Sequence, residues 1–414
     1  MTDGVTEGQH EPLRPRIVLL GSDELSRELA IALRHLGAEV IAVDDHPDAP
    51  AHAAADQSVV IPMTDAGELS ALIKRLQPDF VVTASEAVAL DALDALVAGF
   101  DNDLTELVPG ARSVRLTADR EGLRRLAADE LGLPTAPFWF AGSLDDLKAV
   151  AAHAGSQLLV EPVRGPVGQR RSVIRGPGDI EAAWQRAVGS VSAPEQQRVL
   201  AETVVDVEFY VTLLAIRSDG PNGPVIEFCS PIGHGGAQAD AVESWQPQQL
   251  SPAATDAAKS IAARIVKALG GRGVFSVELM INGDEVYFAS VSTRLPPTAW
   301  VTLRSQRLSV FELQARAILG LPVDTLMISP AAARSIRRAP DAGRAPAAAA
   351  LSADALAAAL GVPETDLRVF GRGSARLLGV ALAMGPDVAG ARARARDAAA
   401  VLSGVSATGS QRPS

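Results

Sequence analysis

Cysteine is almost missing from these 414 residues: Cys229 stands alone, which excludes an internal disulfide and any cysteine-based metal cluster. A single cysteine of this kind reads as a small buried side chain. Histidine is scarce as well, with six scattered copies and no HxxxH or HExxH spacing, so no histidine metal site is expected. Basic residues are outnumbered, 38 Lys and Arg against 49 Asp and Glu. The net charge of −11 and a pI near 5.1 argue against a nucleic-acid binder and against an anionic membrane surface, since both need clustered cations. No uninterrupted apolar run reaches the ~18 residues of a membrane helix, and the stretch "MTDGVTEGQHEPLRPR" lacks the apolar centre of a signal peptide. A cytoplasmic protein with no nucleic-acid and no membrane partner is the expectation.

What is present is a long alternation of apolar patterns. "RIVLL", residues 16 to 20, is a continuous apolar run. The "GSDELSRELAIALRHLG" that follows puts Leu25, Leu29, Leu33 and Leu36 on one helical face before Gly37 stops it. "EVIAVDD", "AGELSALIKRLQP" and "DFVVTAS" repeat strand, helix, strand. This is βαβα with buried parallel strands, a doubly wound domain over residues 1–118. Gly21 and Asp44 suggest a dinucleotide fingerprint, but Asp23 and Ser26 stand where its second and third glycines belong, so no nicotinamide site is expected.

In "TADREGLRRLAADELGLP", Thr117 is placed to cap a helix whose Leu123, Leu126 and Leu131 share a face and which Gly132 and Pro134 end. From about 137 to 215, strands "PFWFA", "QLLVEPV", "RSVIR", "VLAETVV" and "EFYVTLLAI", with helices near 144 to 154 and 179 to 188, make a compact α+β unit. A long helix from residue 251 leads into the hairpin "GVFSVELMINGDEVYFASVS", with Asn-Gly at its turn. Residues 339 to 360 are alanine-rich low complexity. The division expected is 1–118 doubly wound, 119–205 linker helix and lid, 206–405 sheet domain with a C-terminal subdomain, and 406–414 a disordered tail.

This order resembles the ATP-grasp superfamily. Within it, "VLLGSDELSRELAIALRHLGAEVIAVDDHPDAPA", "REGLRRLAADELGLPT", "ESWQPQQLSP", "GVFSVELMINGDEVYF" and "LGVALA" resemble the formate-dependent glycinamide ribonucleotide transformylases of purine synthesis. The resemblance implies an α/β fold of ATP-grasp architecture, a homodimer, ATP and Mg²⁺ as cofactors, and transfer of formate, activated as formyl phosphate, to the amine of the ribonucleotide.

The same resemblance assigns sites. ATP-site positions are Arg120, Glu161, Gly168, Gln169, Arg170, Arg171, Glu202, Val205 and Tyr210. Metal positions are Glu278 and Ser290. Substrate positions are Glu24, Leu25, Ala84, Glu86, Pro297, Arg372 and Arg376, with Leu377 in place of a third cation. Several depart from the family pattern. Glu161 replaces the lysine that neutralises ATP phosphate, and two like charges ~4 Å apart at an effective dielectric near 20 repel by ~4 kcal/mol. In the loop "GPVGQR" only Gly168 keeps its place, and Pro166 removes a backbone donor. Ser290 is a poor Mg²⁺ ligand, Tyr210 replaces an acid, and Ala84 and Pro297 replace carboxylates. Glu208, two residues before Tyr210 on one strand face, is a possible substitute acid. Arg164, Arg170, Arg171 and Arg175 form either a solvated face or a rebuilt anion loop. Tyr210 and Trp300 are expected to fill space vacated by cofactor, and His234 reads as a loop residue. Three functions stay open: a non-catalytic relative that binds or regulates, an altered ATP-grasp ligase using the arginine loop and Glu208, and ordinary transformylase activity.

Overall fold

The computed structural model describes residues 14–93, 105–163, 170–189, 197–235, 242–337, 352–370 and 377–402. Gly168, Gln169, Arg372, Arg376, most of the alanine-rich stretch and the tail lie outside them.

The first sheet grows from apolar runs that must hide both faces. Strands β1 (Arg16–Leu20), β2 (Glu39–Asp44), β3 (Gln57–Val60), β4 (Phe80–Thr83) and β5 (Glu106–Val108) pair in parallel in the order β3-β2-β1-β4-β5. Ile17 to Leu20 and Val40 to Val43 are fully buried. Helix α1 (Glu24–His35) buries Leu29 and Leu33, while Leu36 falls at its C-cap and is 40% exposed. The apolar stripe therefore stops one turn short of the expected Leu36. Asp23 accepts the Ser26 amide as N-cap, which is the local reason an aspartate stands where a dinucleotide fold has glycine. Helix α2 (Ala66–Leu76) packs Leu69, Leu72 and Ile73 into this unit's core.

Helices α3 (Ala111–Ala118) and α4 (Arg120–Arg125), the latter running into a π turn over Leu126–Glu130, lead away from it. Thr117 is not a cap. It lies inside α3 and donates its hydroxyl back to the Ser113 carbonyl at 2.8 Å, the alternative that threonine takes within a helix. The second sheet has strands β6 (Phe138–Ala141), β7 (Leu158–Pro162), β8 (Ser172–Ile174) and β9 (Val199–Thr203), antiparallel in the order β6-β9-β7-β8. Helices α5 (Leu144–Ala154) and α6 (Ile180–Val188) bury Leu147, Trp184 and Ala187 against it.

The third sheet runs β15-β14-β10-β12-β13-β16-β18-β17, with β11 paired to the far half of β10. Its strands are β10 (Phe209–Gly220), β11 (Gly223–Phe228), β12 (Ile232–His234), β13 (Glu243–Gln246), β14 (Gly273–Asn282), β15 (Glu285–Ser292), β16 (Ala331–Arg337), β17 (Thr365–Val369) and β18 (Leu377–Met384). Helix α7 (Pro252–Leu269) packs Ile261, Ile265 and Leu269 on Val277, Leu279 and Phe288 of this sheet. Helices α8 (Thr302–Ser305), α9 (Val310–Ile318), α10 (Ala353–Leu360) and α11 (Val388–Leu402) complete the chain; α10 shows the last third of the alanine-rich stretch as helix. In the β14–β15 hairpin Asn282 pairs with Glu285, so Gly283 and Asp284 form the turn, with Gly283 at φ 59°. Gly271 lets two segments approach closely: a Cβ there would sit 1.4 Å from the Pro109 carbonyl oxygen.

Candidate functional site

Two regions collect the residues singled out above. The first lies where the second sheet meets α4 and the β14–β15 hairpin. The β7–β8 ladder pairs Leu158 with Ile174 and Val160 with Ser172, so its next step sets Glu161 opposite Arg171. Arg171 forks onto one carboxylate oxygen, Nε at 3.2 Å and Nη2 at 3.0 Å. The other oxygen lies 4.0 Å from the Arg120 Nε, and Arg120 also donates to the Pro162 carbonyl at 2.7 Å. Glu161 is 6% exposed, so its charge is met by guanidinium on both sides. Arg170 sits at φ 58° just before this contact.

Glu202 lies on the same sheet face as Glu161, one diagonal step away across β7 and β9. Its carboxyl is pushed up by burial; the Arg124 charge opposes this and the Glu161 charge adds to it. Glu202 Oε1 lies against the Arg124 guanidinium as an ion pair, though the approach lacks hydrogen-bond geometry. Arg124 is buried and donates to the Phe288 and Ala289 carbonyls at 3.2 and 3.0 Å. Ala289 is the extra residue of a bulge in β15, which turns its carbonyl out of the ladder. Nothing in the sequence marked Arg124; its (i, i+4) spacing from Arg120 on α4 was the available signal. Val205 is half-buried in the connection from β9 to β10.

Glu278 and Ser290 are direct cross-strand partners on β14 and β15, with the bulge immediately beyond them. Thr212 donates to Glu278 Oε1 at 2.8 Å, and the Thr298 hydroxyl backs Thr212 at 2.9 Å. His234 Nε2 lies 3.0 Å from Glu278 Oε2 and donates there, since a carboxylate only accepts. His234 is thus a strand residue in the site, not a loop residue: β12 pairs it with Tyr210 and aims it at Glu278. Tyr210 does not fill vacated space; it is 40% exposed, with its ring 6.0 Å from that of His234. Glu208 does not stand in for it, because its carboxylate accepts the Gly283 amide at 3.2 Å at the hairpin tip.

The second region is a cleft of about 550 Å³ at the C-terminal ends of β1 and β2. Such crevices are the usual binding places of doubly wound sheets. Glu24, Leu25 and Asp44 line it from the first sheet's unit, Pro297 and Trp300 from below, and Ser335, Arg337 and Leu377 from the third sheet. Trp300 is buried, packed on Phe311 and Phe370 at 5.3 and 5.5 Å between ring centres. It belongs to the core and walls the cleft at once. Asp44 accepts the Ser22 amide at 2.7 Å, and its carboxyl is pushed up by burial against that bond. His46, beside Asp45 at 2.5 Å, is raised by it. Gly21 sets the loop that presents Ser22: at φ 106° a Cβ would meet Ser85 at 2.8 Å. Ala84 is half-buried and lines a small neighbouring hollow, whereas Glu86 is exposed and ion-paired with Arg294.

Comparison with known proteins gives these regions a family. The ATP-grasp domain model matches residues 126–311, and the PurT C-terminal model matches residues 346–402. The formate-dependent phosphoribosylglycinamide formyltransferase of Paraburkholderia xenovorans is 46% identical over 397 residues, covering 95% of this chain and 96% of its own. That of Rhodococcus jostii is 45% identical over 388 residues, covering 93% and 94%. The structure of glycinamide-RNase-transformylase T from Mycobacterium tuberculosis is 63% identical, with a TM-score of 0.79 over 93% of this chain and 99% of that one. A carboxyaminoimidazole ribonucleotide synthase from Aspergillus clavatus, complexed with ATP, shares the fold at 18% identity, with a TM-score of 0.80 over 95% and 99%. No helix among the described residues is long and apolar enough to cross a membrane. The chain has the ATP-grasp fold and belongs to the family of formate-dependent phosphoribosylglycinamide formyltransferases of purine biosynthesis.

Proposed function

We propose that this chain binds a phosphoribosylglycinamide-like ligand in its cleft without carrying out ATP-dependent formyl transfer, and so serves as a binding or regulatory member of the family. One observation carries the reading. Glu161 is held between Arg171 and Arg120, so the cations nearest this position are already neutralised and its own charge would repel a polyphosphate. The donor set for Mg²⁺ does not fit either. A hard cation seeks several anionic oxygens, yet Glu278 is engaged by Thr212 and His234 and its ladder partner Ser290 is neutral.

The cleft supports the binding half of the proposal, being roomy enough for a small molecule. The reading includes the domain division 1–118, 119–205 and 206–405 and a cytoplasmic location, both argued from the sequence pattern, and the site residues and a homodimer, both argued from the resemblance; light scattering tests the dimer. Titration of ATP and Mg²⁺ followed by thermal unfolding tests the central part. A ligand at one hundred times its Kd stabilises by ~2.7 kcal/mol. The expected result is no shift, and a shift of that size would overturn the proposal.

A further inference from the structure

We propose that Arg337 is the anion anchor of the cleft, so that a phosphate monoester lies at the third-sheet end of the bound ligand and its amine or hydroxyl end lies toward Glu24. This rests on the reading of the cleft as the ligand site.

Among the described residues, the charged side chains lining the cleft are Asp23, Glu24, Asp44, His46 and Arg337. Three are already committed. Asp23 caps α1, both Asp44 oxygens accept backbone amides, from Ser22 and His46, and the His46 ring is bonded to Asp45. Glu24 and Arg337 have no ion pair among the described residues. They come from different domains and carry opposite charge. The arginines around Arg337 are spent elsewhere: Arg334 on Glu243, Arg304 on Asp366, and Arg368 on Asp366 and Glu28. A guanidinium with no ion pair among the described residues, on an apolar cleft wall beside Leu377, Val380 and Ala333, suits a forked contact with phosphate.

The ladder supplies a specific check. Arg337 is the cross-strand partner of Leu377, and both line the cleft. Paired side chains on one face start only ~5 Å apart, so a guanidinium at residue 377 reaches the volume that Arg337 serves.

Isothermal titration with phosphoribosylglycinamide and with its dephosphorylated nucleoside, on the full chain, tests this. Arg337 is exposed and has no ion pair among the described residues, so Arg337→Leu leaves no buried partner behind among them. The expected result is binding of the phosphorylated compound by the native chain, weakened roughly ten- to hundredfold in Arg337→Leu. Binding of the nucleoside should be unchanged, and Arg337→Leu with Leu377→Arg should recover most of the loss. Equal affinity of native and Arg337→Leu for the phosphorylated compound, or equal losses for both compounds, would overturn this assignment alone. Failure of the native chain to bind either compound would overturn the cleft reading together with it.

Discussion

Glu161 and Arg171 stand opposite each other at the mouth of the β7–β8 hairpin, with two guanidinium nitrogens on one carboxylate oxygen at 3.2 and 3.0 Å. Arg120 approaches the other oxygen. A strand position flanked by apolar residues tolerates a carboxylate only when its charge is met in this way. Glu161→Lys would set a third cation among these groups and leave Arg171 and Arg120 without their partner. Since Glu161 and Arg120 are largely buried and Arg171 is partly so, the cost should fall near the low end of a broken buried pair, about 2–4 kcal/mol in chemical denaturation. Glu161→Lys with Arg171→Glu should recover most of it.

Restoring single ligands should not restore chemistry. On the proposed reading, lysine at 161 would attract phosphate, but Ser290 and Tyr210 would still stand where the resemblance puts acids, and groups that act as a unit are strongly non-additive. Glu161→Lys is expected to show no formate-dependent ADP release. Binding of ATP is expected only when Glu161→Lys, Ser290→Glu and Tyr210→Glu are combined, as measured by calorimetry.

Arg124 fastens the second sheet to the third through Glu202, Phe288 and Ala289. Arg124→Ala leaves a buried carboxylate and two carbonyls unpaired, at a cost of about 3–5 kcal/mol. Hydrogen exchange should rise in β9 and α4 while the first sheet stays protected. Uniform loss of protection across all three sheets would contradict this local role.

Cys229 is buried, and that burial pushes its thiol up to about 12, with the Gln306 contact opposing and Glu227 adding. The thiol holds its proton longer in the folded chain than in the unfolded one. Its contribution to stability is therefore fully present below about pH 9 and is lost as pH rises toward 12. Cys229→Ala should flatten the alkaline fall of stability relative to the native chain. Alkylation at pH 8 should label native protein only as fast as it unfolds.

The physical signals explain which parts of this structure were legible. Apolar runs such as "RIVLL" and "VIAV" admit few arrangements other than buried parallel strands, and the Gly283 turn marks its hairpin. Thr117 misled because capping and back-bonding threonines look alike in sequence; the helix had begun earlier, after Gly110. Leu36 obeys the helical period yet lies past the packed face. The pairing of Glu161 with Arg171 was latent in the strand, loop, strand pattern, since closing that hairpin brings the two positions together. The contact of His234 with Glu278 spans 44 residues and depends on the order β12-β10-β14, which no local pattern encodes. Arg337 was equally hidden, because its place in the cleft follows from the pairing of β16 with β18.

The most direct test is steady-state ADP release by the native chain with ATP, Mg²⁺ and phosphoribosylglycinamide, with and without formate. On the proposed reading Glu161 and its two arginines close the phosphate side of the site, so the release should be the same in both cases and no greater than without enzyme. ADP release that rises with formate and saturates would contradict the account and make Arg170 and Arg171 a rebuilt phosphate loop.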